Sequence, residues 1–286
     1  MQSVELSQLF RRTLDEIADL RLQKDGIAHY NSTYRYGLSE KQRYLTTLKF
    51  VKSANSSVSN KAKILDIGCA IGLMSLMFRR IGLEVSAVDK TDPPCDGENY
   101  GILLKEIFSR NNIIFKKCNV LYDSLPFPDE SFDFVYMGAV FEHLLFGHKK
   151  VIGEIKRVLK GDGYLIIDTP NAAFLVNRIK LLLGKPILPP VELFYNSNNY
   201  EGHFREFTLE EMKSILNYSG LRVIRAKMLN FAFRPVLKYE RLNWKRRSLI
   251  TIVFSVSMAV SSFIPRARPC IWIAGQKAGQ GDNSNL

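Results

Sequence analysis

Along the first sixty positions, apolar side chains recur at three- and four-residue steps; after that they gather into short continuous runs. Leu6, Leu9, Phe10, Leu14, Ile17, Leu20 and Leu22 share one face of a helix predicted over Val4–Leu22. A second helix is predicted from an N-cap at Ser39 to about Lys52, with Tyr44, Leu45, Leu48 and Val51 on one side. The Tyr-rich stretch around Tyr30, Tyr34 and Tyr36 lies between them, and a polar linker over Ser53–Asn60 follows.

From Lys63 the pattern predicts strands at Lys63–Ile67, Glu84–Asp89, Ile113–Lys117, Phe132–Tyr136 and Tyr164–Asp168. Helices are predicted between them near Leu73–Ile81, Gly101–Asn111 and Lys149–Leu159. A helix over Leu209–Tyr218 and strands at Leu221–Met228 and Cys270–Ala274 complete the set. Strands that are apolar throughout and alternate with helices imply an α/β fold: a mostly parallel sheet covered by helices on both faces. The predicted organisation is a helical cap over 1–60, a core over 61–230, a basic and apolar insertion over 231–268, and a last strand with a tail over 269–286.

Composition agrees with a globular domain: 46% of the 286 residues are hydrophobic and 24% charged. Cys69, Cys95, Cys118 and Cys270 lie far apart with no C-x-x-C pair, so no metal site is expected, and a reducing, cytoplasmic setting is. The N-terminus lacks the unbroken apolar run of a secretory signal. Net charge is +12, and residues 221–268 hold 11 basic side chains against the single acid Glu240. Such a patch attracts anionic surfaces, a membrane face or nucleic acid. Within it, Ser248–Ile264 is 17 residues without a charge, six of them Ser or Thr. At about 25 Å it is short for a bilayer core of about 30 Å. A crossing there would also separate the last strand from its sheet. Packing on the domain, or lying in a membrane interface, are the two readings left open.

The segment Lys63-Ile-Leu-Asp66-Ile-Gly68-Cys69-Ala70-Ile-Gly72-Leu runs from a strand through a glycine-containing turn into a helix. That layout lets a ligand approach the backbone and offers helix N–H groups to an anion. A dinucleotide fingerprint fails here, because Ala70 and Leu73 stand where glycines belong. The segment resembles instead the first motif of class I S-adenosylmethionine (SAM)-dependent methyltransferases, D-h-G-C-G-x-G, with Ala70 in place of the middle glycine. Further stretches resemble later motifs of that family, in order: Val85–Asp89, Cys118-Asn119-Val120 with Leu125–Val135, Phe141-Glu142-His143-Leu144, Glu154–Gly163 and Thr169-Pro-Asn171. The resemblance implies a Rossmann-like sheet of seven strands and SAM as cofactor. It also implies a cofactor site lined by Asp66, Gly68, Cys69, Ala70, Gly72, Asp89, Asn119, Val120, Met137 and Gly138. Asp89 would take the ribose diol, and Asn119, where the family has an acid, the adenine amine.

If the acceptor is a hydroxyl, its proton must leave, and imidazole suits that task. The four histidines are His29, His143, His148 and His203. His143 follows the fourth strand at the ligand edge of the sheet and is the first candidate, although an E-H pair can equally tie the loop in place. Gly202-His203-Phe204-Arg205-Glu206-Phe207-Thr208 resembles a segment of methyltransferases found with polysaccharide and glycolipid biosynthesis enzymes. On that likeness His203 and Arg205, with Asn171, would face the acceptor. Residues 172–200 form an insertion expected to shape the acceptor pocket. The expected activity is methyl transfer to a hydroxyl of a sugar or lipid-linked intermediate, with a quinone or other small molecule, or a non-catalytic SAM-binding scaffold, as alternatives. An anionic membrane surface is a candidate partner. Nucleic acid is disfavoured, since the basic residues interleave with an apolar run rather than with aromatic platforms.

Overall fold

The computed structural model describes residues 3–55, 62–92, 98–197, 202–230, 256–257 and 259–278. Its first helices are α1 (Ser3–Asp25), α2 (Ile27–Ser39) and α3 (Lys41–Asn55). The core then runs β1 (Lys63–Ile67), α4 (Leu73–Arg80), β2 (Glu84–Asp89), α5 (Glu98–Arg110), β3 (Ile113–Lys117) and β4 (Phe132–Gly138). After a 3-10 turn at Phe141–His143 come α6 (His148–Val158), β5 (Leu159–Pro170), α7 (Leu175–Leu182), α8 (Val191–Tyr195), α9 (Leu209–Tyr218), β6 (Leu221–Leu229) and β7 (Cys270–Lys277).

The strands form one seven-stranded sheet in the order β3-β2-β1-β4-β5-β7-β6. All pairings are parallel except those of β7, which runs antiparallel to both β5 and β6. The order reverses between β1 and β4, so ligands are expected at the carboxyl ends of those strands. Successive side chains of a strand face opposite ways, and two cores result. Ile64, Phe134, Tyr136, Ile166 and Trp272 pack with α1, α3, α4 and α5 on one face. Leu65, Val135, Met137, Ile167 and Ile273 pack with α6 and α9 on the other. Phe50 of α3 meets Tyr164 and Trp272 edge-on, and Trp272 Nε1 donates to Thr47 Oγ1 at 2.8 Å, which fixes α3 against the sheet.

Two local expectations are corrected. The Tyr-rich stretch read as a connection is helix α2, and Ser39 ends it rather than capping α3; its hydroxyl donates to the Tyr36 carbonyl at 2.7 Å. Strand β5 starts at Leu159, opposite Phe132, and an irregularity between Phe132 and Phe134 accommodates 160–163 with Asp162 at φ 63. Helix α7 has no fully buried side chain but is tied to the domain, Asn177 Nδ2 donating to Glu206 Oε2 and Arg178 Nη2 to Arg266 O, both at 3.3 Å. Most of the 231–268 excursion lies outside the described residues. Among those described, no helix is long and apolar enough to cross a membrane.

Candidate active site

The turn after β1 is built from residues that tolerate a left-handed backbone. Gly68, Ala70 and Gly72 have φ of 73, 43 and 77. A Cβ on Gly68 would lie 2.4 Å from Val140 Cγ2, so the loop after β4 closes directly over this glycine. A Cβ on Gly72 would come within 2.7 Å of Leu104 of α5. Only Ala70 carries a side chain in this conformation, and it is exposed. Its left-handed φ costs about 1 kcal/mol. Ala70→Gly is therefore expected to stabilise the protein by about 0.5–1 kcal/mol in a denaturant titration. A lower midpoint would show that the turn does not need this conformation.

Asp89 closes the turn from β2. Its Oδ2 accepts from Ala70 N at 3.0 Å, and Gly68 N donates to Val88 O at 2.9 Å, so the ends of β1 and β2 are stitched together. Burial pushes the Asp89 carboxyl up, and the backbone donors at Ala70 and Thr91 work against that. Asp66 lies beneath the turn, buried, with Ser75 Oγ donating to its Oδ2 at 2.5 Å; burial lifts its pKa to about 7. Cys69 is buried. Asn119 and Val120 are half-buried after β3, and Asn119 Oδ1 already accepts from Leu121 N at 3.2 Å.

Two expected contributors are corrected. The Met137 side chain is fully buried in the core against α6, leaving only its backbone, beside Gly138, for the crevice. Asn171 is buried too, with its amide committed: Nδ2 donates to Arg268 O at 2.7 Å and Oδ1 accepts from Ala173 N at 3.0 Å. It serves the chain, not a substrate.

The histidine segments are brought together. Phe204 N donates to Glu142 O at 2.9 Å, and His143 Nδ1 lies 3.1 Å from Gly202 O, clamping 202–204 onto the 3-10 turn. The rings of His143 and His203 meet edge-on with centroids 4.9 Å apart. His203 Nδ1 lies 2.9 Å from Glu206 Oε1. Burial lowers the His203 pKa, but the Glu206 hydrogen bond and the Glu142 and Glu206 charges outweigh it, and the net shift is upward. Arg205 is turned away onto α9: it pairs with Glu211 Oε1 at 2.7 Å, and Glu211 also completes the Thr208 capping box. His148 packs edge-on against Phe141, and burial lowers its pKa.

Glu142, which the sequence does not single out, lies beside both imidazoles: one ligand atom from each of the three residues falls within 4.8 Å of the others. Glu142 is 1% exposed; Thr169 Oγ1 donates to its Oε2 at 3.0 Å, and its Oε1 has no hydrogen-bond partner. Desolvation raises its pKa to about 7.

A family model described as a methyltransferase domain matches residues 8–226, most of the chain and all of the turn, Asp89 and both histidines. The chain belongs to this methyltransferase family. Its cofactor is SAM. This methyltransferase is 27% identical over 157 residues to a probable S-adenosylmethionine-dependent methyltransferase of Mycobacterium tuberculosis, covering 55% of the chain and 47% of the relative. It is also 27% identical over 161 residues to the mitochondrial ubiquinone biosynthesis O-methyltransferase of Bos taurus, covering 56% and 41%. The matched stretch thus spans about half, or less, of each relative. A SAM-dependent methyltransferase structure from Methanosarcina mazei superposes with a TM-score of 0.52 at 21% identity, covering 80% of this chain and 98% of that one. That likeness bears on the fold.

The crevice suits SAM on its own chemistry. Gly72, the N-cap of α4, offers no side-chain cap to the first helical N–H groups, which leaves donors for a carboxylate. Asp89 is a half-buried acceptor at the tip of β2. When bound, SAM supplies an electrophilic methyl group on a sulfonium.

Proposed function

We propose that this methyltransferase moves the methyl group of SAM to a hydroxyl of a sugar or a lipid-linked intermediate. The cofactor would lie along Gly68, Cys69, Ala70 and Gly72, over Asp66, with Asp89 at the ribose and Asn119 and Val120 at the adenine. The observation that carries the acceptor reading is the pair of imidazoles in contact at the sheet's ligand edge. An amine can attack through its own lone pair, whereas a hydroxyl gains most from a base placed beside it. His143 presents Nδ1 to a carbonyl, so its neutral ring carries the proton there and the lone pair on Nε2. His203, biased toward its cation, suits charge stabilisation. Exposed Leu181, Leu182, Phe194 and Tyr195 on the insertion, interspersed with Arg178, Lys180 and Lys185, support a lipid-linked acceptor and an anionic membrane surface.

The test is incubation with methyl-labelled SAM and fractionated extract, followed by identification of the product. Label in a sugar or lipid fraction is expected; label in nucleic acid or protein overturns the acceptor assignment. A quinone head group is the second reading, favoured by the ubiquinone O-methyltransferase among the relatives, and the labelled product separates the two. For the cofactor side, Asp89→Ala is expected to weaken SAM binding by about 1–3 kcal/mol, roughly a fivefold to 150-fold rise in Kd by calorimetry. Unchanged affinity would remove Asp89 from the site.

A further inference from the structure

No metal-binding pattern is visible in the sequence, yet the fold gathers one. Glu142, His143 and His203 each offer a ligand atom, and the three atoms lie within 4.8 Å of one another. We propose that these three side chains form a binding site for a divalent cation of the zinc class.

Three features argue for it. The first is the unpartnered Oε1 of Glu142, which is 1% exposed. A buried carboxylate oxygen without a donor is costly, and a cation is the partner that removes the cost. The second is the orientation of the imidazoles. His203 presents Nδ1 to the Glu206 carboxylate and His143 presents Nδ1 to the Gly202 carbonyl. Outer partners of this kind place the proton on Nδ1 and turn the Nε2 lone pair toward a metal. The third is the donor set. Two imidazoles and one carboxylate suit zinc and its neighbours rather than magnesium or calcium, which prefer oxygen alone. Three protein ligands also leave a coordination position open. Tetrahedral zinc sets its ligand atoms about 3.5 Å apart, so the cluster must draw in by roughly 1 Å. His143 and His203 are half-buried, and Glu142 with them lies at the 3-10 turn where the movement is needed. Arg43, whose charge also reaches Glu142, is engaged by Asp168, Tyr36 and Tyr44.

With both Nε2 atoms on the metal, its open position, in place of His143 as base, would polarise an acceptor hydroxyl; that use rests on the methyl transfer proposed above, whereas the binding site does not. The experiment uses the full chain, stripped with a chelator, titrated with zinc chloride by calorimetry without SAM, and then with SAM in a second cell. One equivalent of zinc at micromolar Kd or tighter is expected, undisturbed by millimolar magnesium. Glu142→Gln and His203→Ala should each raise the zinc Kd at least a hundredfold, and Glu206→Gln about tenfold to a hundredfold, acting through His203. Cobalt substitution should give the intense visible bands of a four-coordinate site, lost in Glu142→Gln. Retained SAM binding shows that each variant is folded. Absence of zinc binding by a chain that binds SAM, or zinc binding indifferent to both substitutions, overturns the proposal. Zinc binding without SAM binding or methyl transfer would instead count against the proposed function alone.

Discussion

Arg43→Ala is expected to cost about 3–5 kcal/mol of folding stability, roughly a 6–15 °C fall in Tm. Arg43 belongs to α3, and its guanidinium is buried against the sheet. Nη1 bonds Asp168 at the end of β5, Nη2 donates to Tyr36 Oη at 2.8 Å and Tyr44 Oη at 3.1 Å, and Nε lies 2.6 Å from Glu40. Asp168 is fully buried, and its other oxygen accepts from Tyr136 Oη at 2.7 Å. Removing the arginine strands that carboxylate with one donor and no counter-charge. The loss measures an uncompensated buried charge, not the net worth of the pair. The double variant Arg43→Leu/Asp168→Leu should therefore lose markedly less than the two single losses added together. Additive losses in chemical denaturation would mean that the two residues are not coupled. SAM binding should weaken along with stability, because the Asp168 carbonyl accepts from Ala139 N at 2.9 Å just past β4.

This network shows where the sequence stops being legible. The strands are readable because short apolar runs bounded by polar residues mark them: β1, β2 and even the largely exposed edge strand β3 have the bounds that the runs predict. The glycine turn and Asp89 were readable because a backbone that must turn left-handed, next to a lone acid closing a strand, leaves a mark in residue types. Arg43 leaves none. It is one basic residue in an amphipathic helix, and its partner is 125 positions away. Helix α2 was hidden by its tyrosines, which are weak helix formers held in place by tertiary packing. The inward turn of the Met137 side chain and the commitment of the Asn171 amide to Arg268 and Ala173 leave no mark in a motif, which gives position along the chain but not a side chain's surroundings. Glu142 was in plain view beside His143, but its isolation from solvent and its bare oxygen are properties of packing.

Asp66→Asn is expected to be a pH-dependent stabiliser. In the folded chain Asp66 titrates at about 7, because burial disfavours its anion more than the Ser75 hydroxyl supports it. Its ordinary value is 3.8, so the folded state holds the proton more tightly than the unfolded one. For an acid shifted upward, the neutral form's contribution is complete below pH 4 and is lost as pH rises through 7. By linkage the loss reaches up to about 4 kcal/mol above pH 8. Asparagine has the same shape, keeps an oxygen for Ser75 and cannot ionise. The variant should therefore match the parent near pH 4 and exceed it increasingly from pH 5 to 8, read as the difference in denaturant midpoints. Taking the difference matters, because Glu142 also titrates at about 7 and bends both curves equally. A flat difference across that range would mean that Asp66 is already ionised at pH 5 and that its burial is relieved by some other group. SAM affinity supplies an independent reading. A cationic methyl donor lying over Asp66 favours the anion, so the parent should bind SAM more tightly as pH rises from 6 to 8, and the asparagine variant should lose that slope.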